Sequence, residues 1–544
     1  MEGYQVFQSQ PVRFFNSLAL SKDEALFYYP YGNTPSHILT KWHGIERAGD
    51  QSTKILMLGC GDIRSLLCTA SYHLSLRPIG TNTQGVGLDF TLVDSEPAVL
   101  ARNIILCVIF LNSHGSEFNE KVMLAWEIFY DHFLSEPALK LLNSTCQDLL
   151  KLGDDVRLFN ESSIGGRFRM VTERTYRLLR NIWTLYEKYS QSQDKTFLLS
   201  FNKNRNLLFN AFKNLYMKSQ NSDVDAAASF CPIKSKVFSN AWTHLFEEYA
   251  KTGYLSSTRE ERQLVNPTFV FTENANDKYC IFHSSYPLKC YNLVHAVLNF
   301  KDFKSKKEHQ QSAQIEKAIL ENAREQFVQW GEAYNQLASS SPSQIVIRIF
   351  SGDALEFCQA LLVPHLEQAH FQTNTLEPIQ ILSNSDSPQP LSFDVIDTSS
   401  LVYNLGLLNV LVNCACLMNP AGNSILFTDL LLQDERLNVD SLDDILRKLL
   451  CGDTRTILTL LGLNLLGMDR SYSVQNEWPS PIGDNSNEVE LRQTRLTWVR
   501  LNKMGGFADN CTVVYGIKLQ IKEDYLLRIL ISMLHLTLLY LMSS

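Results

Sequence analysis

At roughly 150 residues per domain, the 544 residues of this chain are enough for three to four domains, and 45% hydrophobic with 19% charged residues excludes a disordered, collagen-like or disulfide-scaffold protein. Forty-nine Lys and Arg against 57 Asp and Glu leave a net charge of −8, which provides no basic footprint for a phosphate backbone, so nucleic acid is not expected as the main partner. The start, Met1-Glu2-Gly3-Tyr4-Gln5, carries neither a positive n-region nor an apolar h-region, and the twelve scattered cysteines include no Cys-x-x-Cys pair. A cytoplasmic protein with reduced thiols is the expectation.

The first 50 or so residues are aromatic and turn-rich, with Pro, Gly and Asn marking a bend in YYPYGNTPS, Tyr28 to Ser36. Ile55 to Leu58 is a continuous apolar run of the kind buried on both faces of a sheet; it ends in Gly59-Cys60-Gly61, and Ile63 to Tyr72 reads as a helix. A second strand, Phe90 to Val93, ends at Asp94. Pro97 then opens a helix through Leu111, capped by Ser95 or Glu96. From Ser113 to Ala338 the periodicity is helical almost throughout and strand signals are weak. Ile315, Ile319, Ala323, Phe327, Trp330, Tyr334 and Leu337 line one helical face, as do Leu179, Ile182, Trp183 and Tyr186, and both sets read as core rather than as a cofactor box.

Ser339 to Ser343 breaks the helical pattern, and strands resume: Ile345 to Phe350 runs into Ser351-Gly352-Asp353-Ala354, Phe393 to Ile396 into Asp397, and Ser424 to Phe427 into Thr428-Asp429. Helical patterns lie at Ala354 to Leu362, Leu401 to Leu417 and Leu442 to Leu466, with a polar loop at Ser383 to Pro390. Leu496 to Leu501 and Thr512 to Leu519 read as a terminal antiparallel hairpin. Five strands that end in Gly, Asp or Ser/Thr, most followed by a helix, predict an α/β fold: a parallel, Rossmann-like sheet with its ligand site at the C-terminal ends of the strands and a large helical insertion. Gly59 and Gly61 let the backbone approach a ligand ahead of the helix, and Asp94 ends the neighbouring strand where a carboxylate can accept two ribose hydroxyls.

This layout resembles the class I S-adenosylmethionine-dependent methyltransferases. The resemblance implies that Gly59, Cys60, Gly61 and Asp62 form the loop around the methionine part of S-adenosylmethionine, that Asp94 holds the ribose, that Asp353 lies against the adenine, and that Asp397 opens the fourth-strand motif as the candidate catalytic acid. The third glycine of the loop is Ile63 here, and Asp397-Thr398-Ser399-Ser400 lacks the prolines with which amino-methylating members cradle a nitrogen. A closer resemblance rests on four blocks in order: YYPYGNTPS, ILMLGCGDIRSLL from Ile55, DFTLVDSEPAVLARNIIL from Asp89 and FDVIDTSSLVYNLGLLNVL from Phe393. Together they look like the uncharacterised domain shared by dynein axonemal assembly factor 3 and by proteins that add a MYND zinc finger; the finger's Cys-x-x-Cys pairs are missing here. This family implies a methyltransferase-like core with a long helical insertion and, for the dynein factor, cytoplasmic assembly of dynein arms. A helical lobe of that kind suits protein partners such as dynein chains or chaperones.

The resulting domain reading is residues 1–112 for the N-terminal segment and first half of the Rossmann-like domain, 113–340 for the helical insertion lobe, 341–520 for the second half and 521–544 for an apolar C-terminal helix. Several features carry two readings. Asp353 and Asp397 either touch a ligand or cap the following helices; Arg64 either reaches a ligand carboxylate or pairs with an internal acid. Cys280-x-x-His283 with Cys290 and His295 has zinc-ligand residue types at a spacing that fits no common finger, so no metal is expected. Cys414 and Cys416 read as core, and Lys301, Lys304, Lys306 and Lys307 as a solvated helix face. Tyr525 to Met542 reads as a packed or frayed terminal helix, with a tail anchor as the alternative because only Arg528 and His535 interrupt it.

Overall fold

In the computed structural model, which describes residues 30–32, 35–41, 52–77, 86–193, 198–199, 201–203, 236–255, 262–269, 286–293, 308–341, 343–362, 389–420, 423–431, 442–469 and 493–500, the apolar runs lie side by side in one sheet. The elements follow the chain as β1 (Thr53–Leu58), α1 (Arg64–Ser75), β2 (Leu88–Asp94), α2 (Pro97–Leu111), α3 (Phe118–Tyr130), β3 (Phe133–Leu134), α4 (Glu136–Leu150), α5 (Val156–Glu161), β4 (Phe168–Met170), α6 (Glu173–Gln191), α7 (Lys236–Thr252), β5 (Leu264–Val265) and α8 (Glu308–Ser340). They continue as β6 (Ile345–Ser351), α9 (Ala354–Leu362), β7 (Val395–Asp397), α10 (Leu401–Leu405), α11 (Leu407–Ala415), β8 (Ile425–Leu431), α12 (Leu442–Leu450), α13 (Thr454–Leu461), β9 (Leu463–Asp469) and β10 (Gln493–Arg500).

The sheet has eight strands in the order β4-β6-β2-β1-β7-β8-β10-β9. The pairs from β4 to β8 are all parallel, and β10 is antiparallel to both β8 and β9. This is an α/β fold with a mostly parallel mixed sheet, compatible with a Rossmann-like architecture. Alternate residues face opposite sides. Ile55, Met57, Phe90, Leu92, Ile347, Val395 and Phe427 meet α1, α2 and the helices between residues 113 and 340, whereas Leu56, Leu58, Val93, Ile396, Leu426 and Trp498 meet α9 to α13. Burial on both faces is why these strands read as continuous apolar runs. The α2 cap is Glu96, whose Oε1 accepts the Ala98 N–H at 3.0 Å, with Pro97 at the first helical position.

The stripe predicted from Ile315 to Leu337 is buried along α8, and that of Leu179, Ile182, Trp183 and Tyr186 along α6. Tyr291 lies between two tryptophans, its ring centroid 5.5 Å from Trp126 and 5.1 Å from Trp330. These helices share one continuous apolar core with the sheet face they cover.

Four expectations are corrected. The helical reading of Leu442 to Leu466 fails beyond α13, because Gly462 in the left-handed conformation (φ +64°) ends the helix and Leu463 to Leu466 enter β9. Leu401 to Leu417 is not one helix; Gly406 (φ +84°) divides α10 from α11. The stretch from Ser113 to Ala338 contains the β3–β5 pair and β4, which extends the main sheet beside β6. The strand expected at Leu496 to Leu501 is β10, but it pairs with β8 and β9. Its expected partner at Thr512 to Leu519 lies outside the described residues, as do the loop from Ser383 to Pro388, Cys280, His283, His295, the lysines between 301 and 307 and the segment from Tyr525 to Met542. Among the described residues no helix is long and apolar enough to cross a membrane.

One ionic cluster ties the end of α3 to Leu255 and Arg262. The buried Asp131, just past α3, accepts the Leu255 N–H at 3.1 Å and an Arg262 N–H at 2.7 Å, while the same guanidinium reaches Glu127 at 3.0 Å. Two carboxylates thus share Arg262. Burial pushes the Asp131 carboxyl up to about 7, against the pull of Arg262 and the Leu255 N–H. The folded chain then holds a proton that the unfolded chain has released once the pH exceeds the ordinary value of 3.8. The stability from this group is complete below that value and lost as pH rises through about 7. Urea melts between pH 5 and 8 should therefore show stability falling with pH, and Asp131→Asn should flatten the profile; an unchanged slope in the variant contradicts this assignment.

Candidate functional site

The chain leaves β1 through a turn that only glycine makes easily. Gly59 (φ +59°) and Gly61 (φ +54°) are both left-handed. A Cβ on Gly59 would lie 2.8 Å from the Leu401 side chain, so this position is also closed by packing, whereas a Cβ on Gly61 would meet nothing within 4 Å. The loop is thus pinned at its first glycine and faces open space at its second. Cys60 continues the strand ladder, its N–H on the Val93 carbonyl at 3.0 Å, and burial, with Asp94 and Asp62 nearby, pushes its thiol well above the ordinary range. Ile63, where the resembled loops carry a third glycine, is buried beneath the start of α1.

Asp94 is the organiser of this edge. Its Oδ2 accepts the Gly61 N–H and its Oδ1 the Glu96 N–H, both at 2.9 Å, while its main-chain oxygen accepts the Gly352 N–H at 2.9 Å. One residue thereby ties the loops after β1, β2 and β6. Burial raises its carboxyl and the two N–H donors oppose that shift. The Cys60 thiol also donates to Oδ2, at 4.0 Å; a carboxylate offers about four lone-pair sites, so the acceptor capacity that is left lies on Oδ1.

Asp353 caps α9: its Oδ1 accepts the N–H groups of Leu355 (2.8 Å) and Glu356 (3.0 Å), the capping reading offered by the sequence. Asp397 does not cap a helix. It accepts from Arg495 Nη2 at 2.5 Å, and Arg495 Nε donates to Asp429 at 2.8 Å, with the guanidinium 4.9 Å from the Phe427 ring centroid. All three charged side chains are buried. Burial, more than the opposing Arg495, holds Asp429 above its ordinary value. The turn after Asp397 is strained, since Ser399 adopts φ +46° while its carbonyl accepts the Asp429 N–H at 3.1 Å.

Asp62 is also committed. Its Oδ1 accepts from Arg64 Nη1 at 2.6 Å and its Oδ2 from the Gly32 N–H at 2.6 Å, which assigns Arg64 to an internal acid. Cys290, offered by the sequence as one of four zinc-type residues, instead points its Sγ at the Gly32 carbonyl (3.2 Å) and Asp62 (3.8 Å). His37 lies over the same region; burial first, then Arg495 and Arg64, holds its imidazole well below the ordinary value. Of the two cysteines at the end of α11, Cys414 is buried as expected, whereas Cys416 is exposed, correcting its reading as core. Among the described residues no group of three or more His, Cys, Asp or Glu could hold a metal ion.

Arg495 and His37 are edge residues that sequence reasoning missed, and Asp429, read there only as a strand end, gained no partner from it. The available signal was the alternation of Arg495 and Thr497 with Leu496 and Trp498, which puts a cation on a buried face of a strand, where an acid partner is required.

Residues 30–134 match a family described as a domain of unknown function (DUF4470), a span that opens at the bend before β1 and runs through the glycine loop, Asp94 and α3. No curated protein and no solved structure matches the chain.

Removing Arg495 leaves two buried carboxylates without their shared cation. Arg495→Leu should cost about 3–5 kcal/mol at pH 7.5, and the loss should shrink at pH 5 as the stranded carboxyls take up protons. Urea melts at both pH values check this; a loss that is equal at both contradicts the shared-cation account.

Proposed function

We propose that the strand-end edge binds S-adenosylmethionine or its demethylated product, and that the protein is methyltransferase-like, acting on or with other proteins. The observation that carries this reading is Gly61: left-handed, open to space, and held by Asp94 beside the point where the strand order reverses, between β1 and β7. Open α/β sheets bind ligands at such a switch point. An antiparallel last strand, β10, inserted between β8 and β9, accords with the sheet the resemblance implies.

Charge narrows the ligand class. Asp62, Asp94, Asp353, Asp397 and Asp429 stand at this edge against Arg64 and Arg495. An excess of acid suits a ligand bearing a sulfonium and an ammonium, and opposes the pyrophosphate of a dinucleotide. In this reading Gly59, Cys60, Gly61 and Asp62 surround the methionine part, Asp94 offers its remaining lone pairs to the ribose, and Asp353 lies toward the adenine. When bound, S-adenosylmethionine supplies an electrophilic methyl carbon; the chain's own residues bind and orient it.

One observation favours a second reading. Asp397, the candidate catalytic acid, is already paired with Arg495, so it is held rather than poised to take a proton from an acceptor. A non-catalytic cytoplasmic assembly factor resembling dynein axonemal assembly factor 3, with its insertion docking dynein chains or chaperones, is consistent with that pairing.

Calorimetry with S-adenosylhomocysteine tests the binding claim. Wild type should release heat and gain thermal stability, and Asp94→Ala should lose about 10- to 100-fold in affinity, the equivalent of a charge-assisted pair of hydrogen bonds. No heat and no thermal shift at millimolar ligand contradicts it. Tritiated methyl transferred to co-purified protein by wild type and not by Gly61→Arg favours the enzyme; partner recovery without label in either favours the assembly factor.

A further inference from the structure

The segment before β1 ties two parts of the molecule together. At one end Gly32 gives its N–H to Asp62 of the glycine loop at 2.6 Å, and a Cβ on Gly32 would fall within the Arg64 guanidinium, so the segment lies flush on the Asp62–Arg64 pair. Farther on, the His37 N–H donates to Ser65 Oγ (3.1 Å) and the Leu39 N–H to Thr69 Oγ1 (2.9 Å), which lays residues 37–39 along the first turns of α1. The opposite side of the segment belongs to the insertion. Tyr31 and Tyr249 share a hydroxyl–hydroxyl bond of 2.7 Å, the Ser36 N–H donates to the Cys290 carbonyl at 3.0 Å, and Cys290 Sγ meets both the Gly32 carbonyl and Asp62. Tyr249, near the end of α7, passes the connection on by donating to the Tyr130 carbonyl at 2.6 Å, at the end of α3.

We infer that residues 30–32 and 35–41 are a strap that couples the glycine loop to the insertion, so that loosening either end loosens the other. The bonds of Tyr31, Gly32, Leu39, Tyr249 and Cys290 in this connection are buried, and the contacts at Gly32 leave no slack: Asp62 cannot shift without moving Gly32, and Gly32 cannot shift without disturbing Cys290 and the Tyr31–Tyr249 bond. A change at the loop is thereby carried to α7 and to residues 286–293. Such a coupling is reciprocal by thermodynamic necessity. It holds whatever ligand the edge binds.

Amide hydrogen exchange on the full chain tests the strap from both ends. Gly32→Ala, which forces the Arg64 guanidinium away from Asp62, should speed exchange in residues 60–67 and also in 236–252 and 286–293, with β6 and β8 unchanged. Tyr31→Phe removes one hydroxyl at the insertion end and is the variant to rely on if Gly32→Ala fails to fold. It should speed exchange in residues 60–67 by about three- to tenfold. A Tyr31→Phe protein whose glycine-loop amides exchange at the wild-type rate overturns the inference, as does a folded Gly32→Ala protein whose changes stop at residue 67.

Discussion

At the end of β2, Asp94 accepts the N–H groups of Gly61, Glu96 and Gly352, and these bonds decide the shape of the whole strand-end edge. Three loops that the chain delivers from residues almost 300 apart are brought to one carboxylate and one carbonyl. Gly61 holds its left-handed conformation with its N–H satisfied, α2 starts where Glu96 can cap it, and the Gly352 turn is drawn against the second strand. Burial opposes the ionised carboxylate and the donors favour it, so the interaction is costly to disrupt.

Two further acids complete the frame and explain its closed character. Asp62 spends its oxygens on Arg64 and the strap, and Asp397 shares Arg495 with Asp429. Each pairing satisfies a charge that would otherwise be stranded in a buried setting. The open space beside Gly61 is therefore bordered by groups that are held in place, the pre-arrangement that the proposed cationic ligand requires. The same pairings leave Asp397 committed to Arg495 rather than placed to take a proton from an acceptor.

Much of the frame was legible in the sequence. Strands buried on both faces are mostly apolar, so Ile55 to Leu58, Phe90 to Val93 and Ile345 to Phe350 announced themselves, even with Thr91 in the second and Arg348, which pairs with Asp89 on β2, in the third; the acids and glycines after them marked the edge. What escaped was of three kinds. Short strands such as Phe168-Arg169-Met170 carry too few residues to show a period of two. The leucines of β9 continue the helical spacing of α13, and only Gly462 signals the change. Pairings such as Arg495 with Asp397 and Asp429 join residues 98 and 66 apart in sequence, and no local pattern encodes which acid a buried arginine will find. The commitment of Asp62 was hidden for the same reason: its partner in the strap is a backbone N–H.

On the proposed reading, the loop from Gly59 to Asp62, held by Asp94, binds an S-adenosyl ligand. Ultraviolet cross-linking with methyl-tritiated S-adenosylmethionine, followed by peptide mapping, tests it most directly. Label should appear in peptides spanning residues 59–62 or 94–96 and be competed away by S-adenosylhomocysteine. Label that resists competition, or that falls on peptides away from the strand ends, contradicts it.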